Sequence, residues 1–167
     1  MNRQPLALFV NGERHELLAE PHWTLLHVLR THLGLSGTKE NCLEAECGVC
    51  TVLLDGKAVN SCIVLARQCE GRSITTIEGL ADPASDDRLH PAQRALLANH
   101  GLQCGFCTPG VTMTLAELAD RSTHPSPEET CEELSGNLCR CTGYQGILAA
   151  AYDLLGHRHH IDKDDRP

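Results

Sequence analysis

Aromatic residues are scarce in this 167-residue chain: one Trp, two Tyr and two Phe, 3% in all. Any core must therefore be built from Leu, Val, Ile and Ala. Long apolar runs are missing as well, since the longest strongly apolar stretches, such as 6–10 and 147–152, fall far below the roughly 18 residues a membrane span needs. Basic charge is in deficit. Fourteen Lys+Arg face 22 Asp+Glu, a formal charge of −8 with His neutral, which disfavours a nucleic-acid binder that needs a basic face against phosphate. The N-terminus meets a charged turn after about five apolar residues, too short for a secretory h-region. The chain therefore reads as cytoplasmic, although it could ride with an exported partner.

Catalytic signatures are equally thin. There is no G-x-G-x-x-G for a flavin or nicotinamide, and 34–39 (GLSGTK) lacks the spacing of a phosphate loop. No Ser/His/Asp or paired-carboxylate constellation stands out, so no substrate-converting site is assigned to this chain. With 41% hydrophobic and 22% charged residues, the composition is globular, and the length suits one ordinary domain or two small ones.

What the chain does have is ten cysteines, clustered rather than spread. Without an export signal, and below the roughly 8–10% Cys of disulfide scaffolds, they point to metal ligation in a reducing compartment. Cys42, Cys47, Cys50 and Cys62 form C-x4-C-x2-C-x11-C, the plant-type ferredoxin spacing for a 2Fe-2S cluster. Cys104-x2-Cys107 and Cys139-x-Cys141 form a second four-thiol set. Four thiolates suit zinc too, but ordinary zinc folds favour two C-x2–4-C pairs and each set has one C-x-x-C. A Rieske centre would need two His in place of Cys, and no Cys-x-His occurs. Cys69 and Cys131 are left over and read as small buried hydrophobes.

The elements around these sets fall into two halves. Residues 6–10 and 14–18 read as a hairpin about Asn11-Gly12, a type I′ signal. Thr24 can cap a helix over 25–33 ended by Gly34. Strands are expected over 51–54 and 58–64 about Asp55-Gly56, which brings position 50 opposite about 61 or 62 and so Cys62 back to Cys50. A last strand is expected over 73–77. After a polar linker, 81–87, helices are expected over 90–99, from a Thr108 cap with Pro109 at N1, from the Ser126/Glu129 capping box to just before Gly136, and over 147–155 before Gly156. The two middle helices, as a hairpin, would return Cys139 beside Cys104. Each pair of the second set precedes a helix, whose N-terminal N–H groups favour an anionic group. The tail, 157–167, carries His157, His159 and His160 and reads as solvated, with adventitious metal binding as the alternative.

Three segments, C42-LEAE-C47-GV-C50, Q103-CGFCTPG110 and S135-GNLCRCTGY-Q145, resemble those of the small iron–sulfur subunits of molybdenum hydroxylases, the group of xanthine dehydrogenase, aldehyde oxidoreductase and aerobic carbon monoxide dehydrogenase. The resemblance covers about residues 5 to 155. It implies an α+β protein, a ferredoxin-like β-grasp domain (1–80) followed by a four-helix domain (88–156), each with one 2Fe-2S cluster. It further implies that Cys104, Cys107, Cys139 and Cys141 bind the cluster proximal to a molybdenum–pterin cofactor, with Gln103 and Cys141 approaching the pterin. Cys42, Cys47, Cys50 and Cys62 would bind the distal cluster. The implied partners are a large molybdenum-cofactor subunit and a medium FAD subunit in a hetero-oligomer, a dimer of heterotrimers being one arrangement.

The first loop departs from the usual pattern, carrying Asn41, Leu43, Glu44 and Glu46 where relatives often have glycine or small residues. Asn tolerates a left-handed backbone, so Asn41 need not break the loop. The expected function is electron transfer within a molybdenum hydroxylase. A free two-cluster ferredoxin shuttle and a two-zinc scaffold are the alternatives.

Overall fold

A computed structural model describes residues 3–82 and 84–157. The N-terminal half is a five-stranded mixed sheet, running in space from Glu13–Ala19 through Gln4–Val10, Ser73–Thr75 and Thr51–Leu54 to Lys57–Asn60. Strands β1 (Gln4–Val10) and β2 (Glu13–Ala19) pair antiparallel with Val10 opposite Glu13. Asn11 and Gly12 between them hold φ of +53° and +81°, as a type I′ turn requires. Strands β3 (Thr51–Leu54) and β4 (Lys57–Asn60) repeat the device, with Asp55 and Gly56 at +50° and +78°. Between the hairpins lies β5 (Ser73–Thr75), parallel to β1 and antiparallel to β3. Leu6, Leu8, Val10, Val52, Leu54 and Ile74 from the sheet bury against Leu25, Val28 and Leu29.

Three expectations are corrected in this half. The helix α1 (Leu25–His27) is regular only to His27; over Val28–His32 it widens, so that Leu33 N–H bonds Val28 O at 3.1 Å. The return strand expected over 58–64 stops at Asn60. Residues 61–64 leave the ladder because their carbonyls serve the helix: Leu26 N–H donates to Ser61 O and Leu25 N–H to Val64 O, at 3.1 and 2.7 Å. These are first-turn donors that a helix cannot satisfy internally. Thr24 caps as expected, its Oγ1 accepting His27 N–H at 3.2 Å. The strand expected over 73–77 likewise ends at Thr75, and a short turn, Ile77–Gly79, follows.

The second half holds α2 (Pro91–Ala98), α3 (Thr108–Ala119), α4 (Pro127–Leu134) and α5 (Gln145–Leu155). Ser126 and Glu129 form the expected reciprocal cap of α4, with bonds of 3.2 and 2.7 Å, and Gly156 ends α5 at φ +77°. At α3 the expectation fails: Thr108 already lies in the first turn, and the cap position is Cys107. Helix α3 is central. Val111, Leu115 and Leu118 pack on Leu96, Leu134 and Ile147, whereas Met113 and Ala116 pack on Leu53 and Leu80 of the sheet half.

Cys69 is buried as expected, but Cys131 is exposed. On α4 the inward residues are Thr130 and Leu134, one helical turn apart, which leaves the Cys131 thiol outside, 3.2 Å from Tyr152 Oη. His157 Nε2 lies 2.8 Å from Pro125 O; His159 and His160, with the rest of the tail, lie outside the described residues. Among the described residues no helix is long and apolar enough to cross a membrane.

Candidate metal centres

The first cysteine loop is shaped by left-handed residues at Leu43, Ala45 and Gly48, with φ of +62°, +66° and +66°. Asn41 is not among them. Such alternation curls backbone N–H groups toward one point, here the Cys42 sulfur. The N–H of Glu44, then the thiol and N–H of Cys47, lower the Cys42 thiol to about 7. Cys50 and Cys62 meet through the β3–β4 hairpin. Thr51 faces Asn60, and Ser61, the first residue past the ladder, bonds Cys50 O through its N–H and its hydroxyl at 3.4 and 2.7 Å. Burial beside Leu26 and Cys62 pushes the Cys50 thiol up to about 11.

The second set is assembled from two helix entries. Cys104 and Cys107 precede α3, Cys139 and Cys141 precede α5, and the sulfurs of Cys104 and Cys141 lie 3.6 Å apart. Cys107, pushed up to about 12 by burial, has Cys139 as its sulfur neighbour. Burial works against the Cys139 thiolate, but the hydroxyl and N–H of Thr142 outweigh it and lower that thiol to about 7; Thr142 Oγ1 donates to the sulfur at 3.2 Å. Tyr144 braces the turn by accepting Cys139 N–H at 2.9 Å and donating to Asn137 O at 3.1 Å. Beside this set is a cavity of about 240 Å³ bounded by Cys104, Cys107, Phe106, Leu138 and Cys141, with Cys47 on its wall.

In both places the sulfurs meet as two pairs: Cys42 with Cys47 and Cys50 with Cys62, Cys104 with Cys141 and Cys107 with Cys139. A 2Fe-2S group fits that arrangement, because each of its irons takes two thiolates. Metal would replace the protons on the buried Cys50 and Cys107. The structure brings the eight sulfurs singled out by spacing into these pairs, and sequence reasoning missed the groups that brace them, Asn137, Thr142 and Tyr144. The signal lay in the segment flanking Cys139 and Cys141, where all three occur.

These features define a protein with two 2Fe-2S sites. A family model for a 2Fe-2S iron–sulfur cluster binding domain matches residues 8–77, and one for a 2Fe-2S binding domain matches 76–152. The nicotine 6-hydroxylase small subunit of Paenarthrobacter nicotinovorans is 46% identical over 155 residues, covering 93% of this chain and 92% of that one. The nicotinate dehydrogenase small FeS subunit of Eubacterium barkeri is 43% identical, covering 90% and 94%. Among solved structures, quinoline 2-oxidoreductase from Pseudomonas putida 86 superposes with a TM-score of 0.82 at 41% identity, covering 92% of this chain and 93% of that one. The chain belongs to the small iron–sulfur subunits of the molybdenum hydroxylases, and it has their electron-transfer role in an oxidoreductase complex.

Proposed function

We propose that this subunit takes electrons one at a time from a molybdenum–pterin centre on a large partner subunit and delivers them to FAD on a medium subunit or to another acceptor. Cys104, Cys107, Cys139 and Cys141 bind the proximal cluster in this reading, and Cys42, Cys47, Cys50 and Cys62 the distal one. The observation that carries the assignment is the exposure of the second set. Cys104 and Cys141 are open to solvent together with Gln103, and Phe106 and Leu138 stand exposed beside them. An open, apolar-rimmed thiolate site suits a face that a partner covers, and Gln103 and Cys141 are then the residues that meet the pterin.

The two clusters supply reversible one-electron chemistry, while this chain fixes their place and tunes them through hydrogen bonds, charge and burial. The sheet half then corresponds to a ferredoxin-like β-grasp domain, 1–80, and the helical half to a four-helix domain, 88–156, joined by 81–87. The complex is a cytoplasmic hetero-oligomer. A free shuttle is not favoured, because relatives spanned almost end to end by this chain are subunits.

Iron and acid-labile sulfide per chain, measured on the natively purified complex, test the reading. About four of each are expected; zinc without sulfide would overturn it. A Cys139→Ser complex that lacks the proximal cluster yet turns over fully with its natural acceptor would refute the route.

A further inference from the structure

Asn137 is one of the few buried polar residues, 4% exposed, and every polar group it has is engaged. Its side-chain N–H donates to Gly48 O at 3.1 Å, and its side-chain oxygen accepts the Thr114 hydroxyl of α3 at 2.9 Å. Its main-chain N–H bonds Leu134 O at 3.0 Å, and its carbonyl takes the Tyr144 hydroxyl. One residue on, Leu138 N–H donates to Cys47 O at 3.0 Å. The second cysteine turn thus grips two successive carbonyls of the first cysteine loop. The fit is close on both sides: a Cβ on Gly48 would overlap Gly136 O and the Asn137 amide, and one on Gly110 of α3 would overlap Gly48 O.

The consequence is a short through-bond connection. From Cys47 the path runs through its own carbonyl, across the hydrogen bond to Leu138 N, and along one residue of backbone to Cys139. One hydrogen bond and otherwise covalent links separate a residue of one set from a residue of the other.

We propose that Asn137 is the positioning residue for electron passage between the two thiolate sets: tied to Thr114 and gripping Gly48 O, it keeps Leu138 N–H bonded to Cys47 O. The inference rests on the ligand sets proposed above. In the step one electron leaves the proximal centre, which is oxidised, and arrives at the distal centre, which is reduced; no bond forms or breaks and no proton need move. A buried asparagine that merely satisfies a loop is the plainer account. The two accounts separate in measurements other than turnover.

The test uses the natively purified complex carrying Asn137→Asp, which keeps the size of the side chain and its acceptor for Thr114 but loses the donor to Gly48 O. A Thr114→Val complex, which loosens the tie without touching the loop, is the second variant. Iron and sulfide per chain establish that both clusters are loaded. Low-temperature EPR of the fully reduced complex reads the spin–spin splitting between them, and rapid mixing reads the rate of reduction of the distal centre. The expected result is full metal content with an altered splitting and a slowed rate, milder in Thr114→Val. Loaded variants with native splitting and native rate, whatever their melting temperature, would overturn the proposal and leave the ligand sets standing. A wild-type complex without two paramagnetic centres would overturn the ligand sets and the proposal together.

Discussion

The two cysteine regions carry the same four donors in opposite surroundings. In the sheet half three of the four thiols, Cys47, Cys50 and Cys62, are buried, and the loop bends through two non-glycine left-handed residues, Leu43 and Ala45. In the helical half only Cys107 is buried, Cys104 and Cys141 are exposed, and glycines 105 and 143 take left-handed positions near the ligands, with Tyr144 a third at the start of α5. One site is enclosed by its own chain and the other is open to solvent. Solvent exposure, charge and hydrogen bonds to sulfur set a cluster's potential, so the same ligand chemistry is prepared for two different tasks.

The largest expected effect comes from removing one thiol on each side. Cys50→Ser and Cys141→Ser should each cut iron per chain by about half, since each removes one proposed ligand from one of two clusters. Beyond that shared loss, Cys50→Ser leaves a hydroxyl in a buried site beside Leu26 and should cost a further 1–3 kcal/mol or so of stability. Cys141 is exposed, and its replacement should cost little more than the cluster. Calorimetric melting of the two variants checks this; equal melting points at equal metal content would remove burial as the distinction.

The cysteine spacing, both hairpin turns and the α4 cap were legible in the sequence because each is local: a turn needs its two residues, a capping box its four. The rest depended on distant partners. Residues 61–64 have the composition of a strand, yet they leave the ladder to satisfy the N-terminus of α1, thirty-odd residues earlier in the chain. The widened turn at Val28–His32 carries no residue that announces it. Cys131 has the hydrophobicity of a core residue, and only the packing of Thr130 and Leu134 turns it outward. Helix α3 shows one apolar stripe in its sequence, but Gly110 to Leu118 are all buried, since the sheet covers the face that the helices do not. Eight cysteines could be singled out from spacing, whereas the Asn137 grip required knowing that residues 48 and 137 touch.

That junction supplies the next prediction. Glu117 of α3 is 4% exposed and bridges Lys57 of β4, at 3.0 Å, and Arg121, at 2.8 Å; Arg121 also pairs with Glu133 of α4. Burial opposes the Glu117 charge, but Arg121 and Lys57 outweigh it and hold its pKa below the ordinary 4.5. A carboxylate with a depressed folded-state pKa contributes stability that is fully present above its unfolded value. That contribution is lost as pH falls through the lower, folded value. The melting temperature should therefore fall on acidification below about 4.5, and Glu117→Gln should flatten that limb while costing about 1–2 kcal/mol near neutrality. An unchanged acid limb in Glu117→Gln would show that the Lys57–Glu117–Arg121 bridge adds nothing to the hold that the Met113 and Ala116 contacts and the Asn137 grip already give.

The smallest effect expected is electrical, and it bears most directly on the contrast between the loops. Between its first two cysteines the buried site carries Glu44 and Glu46, both exposed, whereas the open site carries Arg140 between Cys139 and Cys141. Negative charge near a cluster disfavours an added electron. Glu44→Gln/Glu46→Gln should thus raise the potential at the first cysteine set, proposed as the distal site, and Arg140→Gln should lower that at the second, each by roughly a few tens of millivolts given screening by water. The Glu44 N–H that points at Cys42 belongs to the backbone and survives the substitution. Redox titration followed by EPR, with each cluster read at its own signal, measures both shifts. An unchanged potential at the first set would reduce the two glutamates to a solubilising face. Salt separates the remaining causes: a shift that shrinks steeply by about 1 M salt is charge acting through solvent, while one indifferent to salt means that the loop itself has moved.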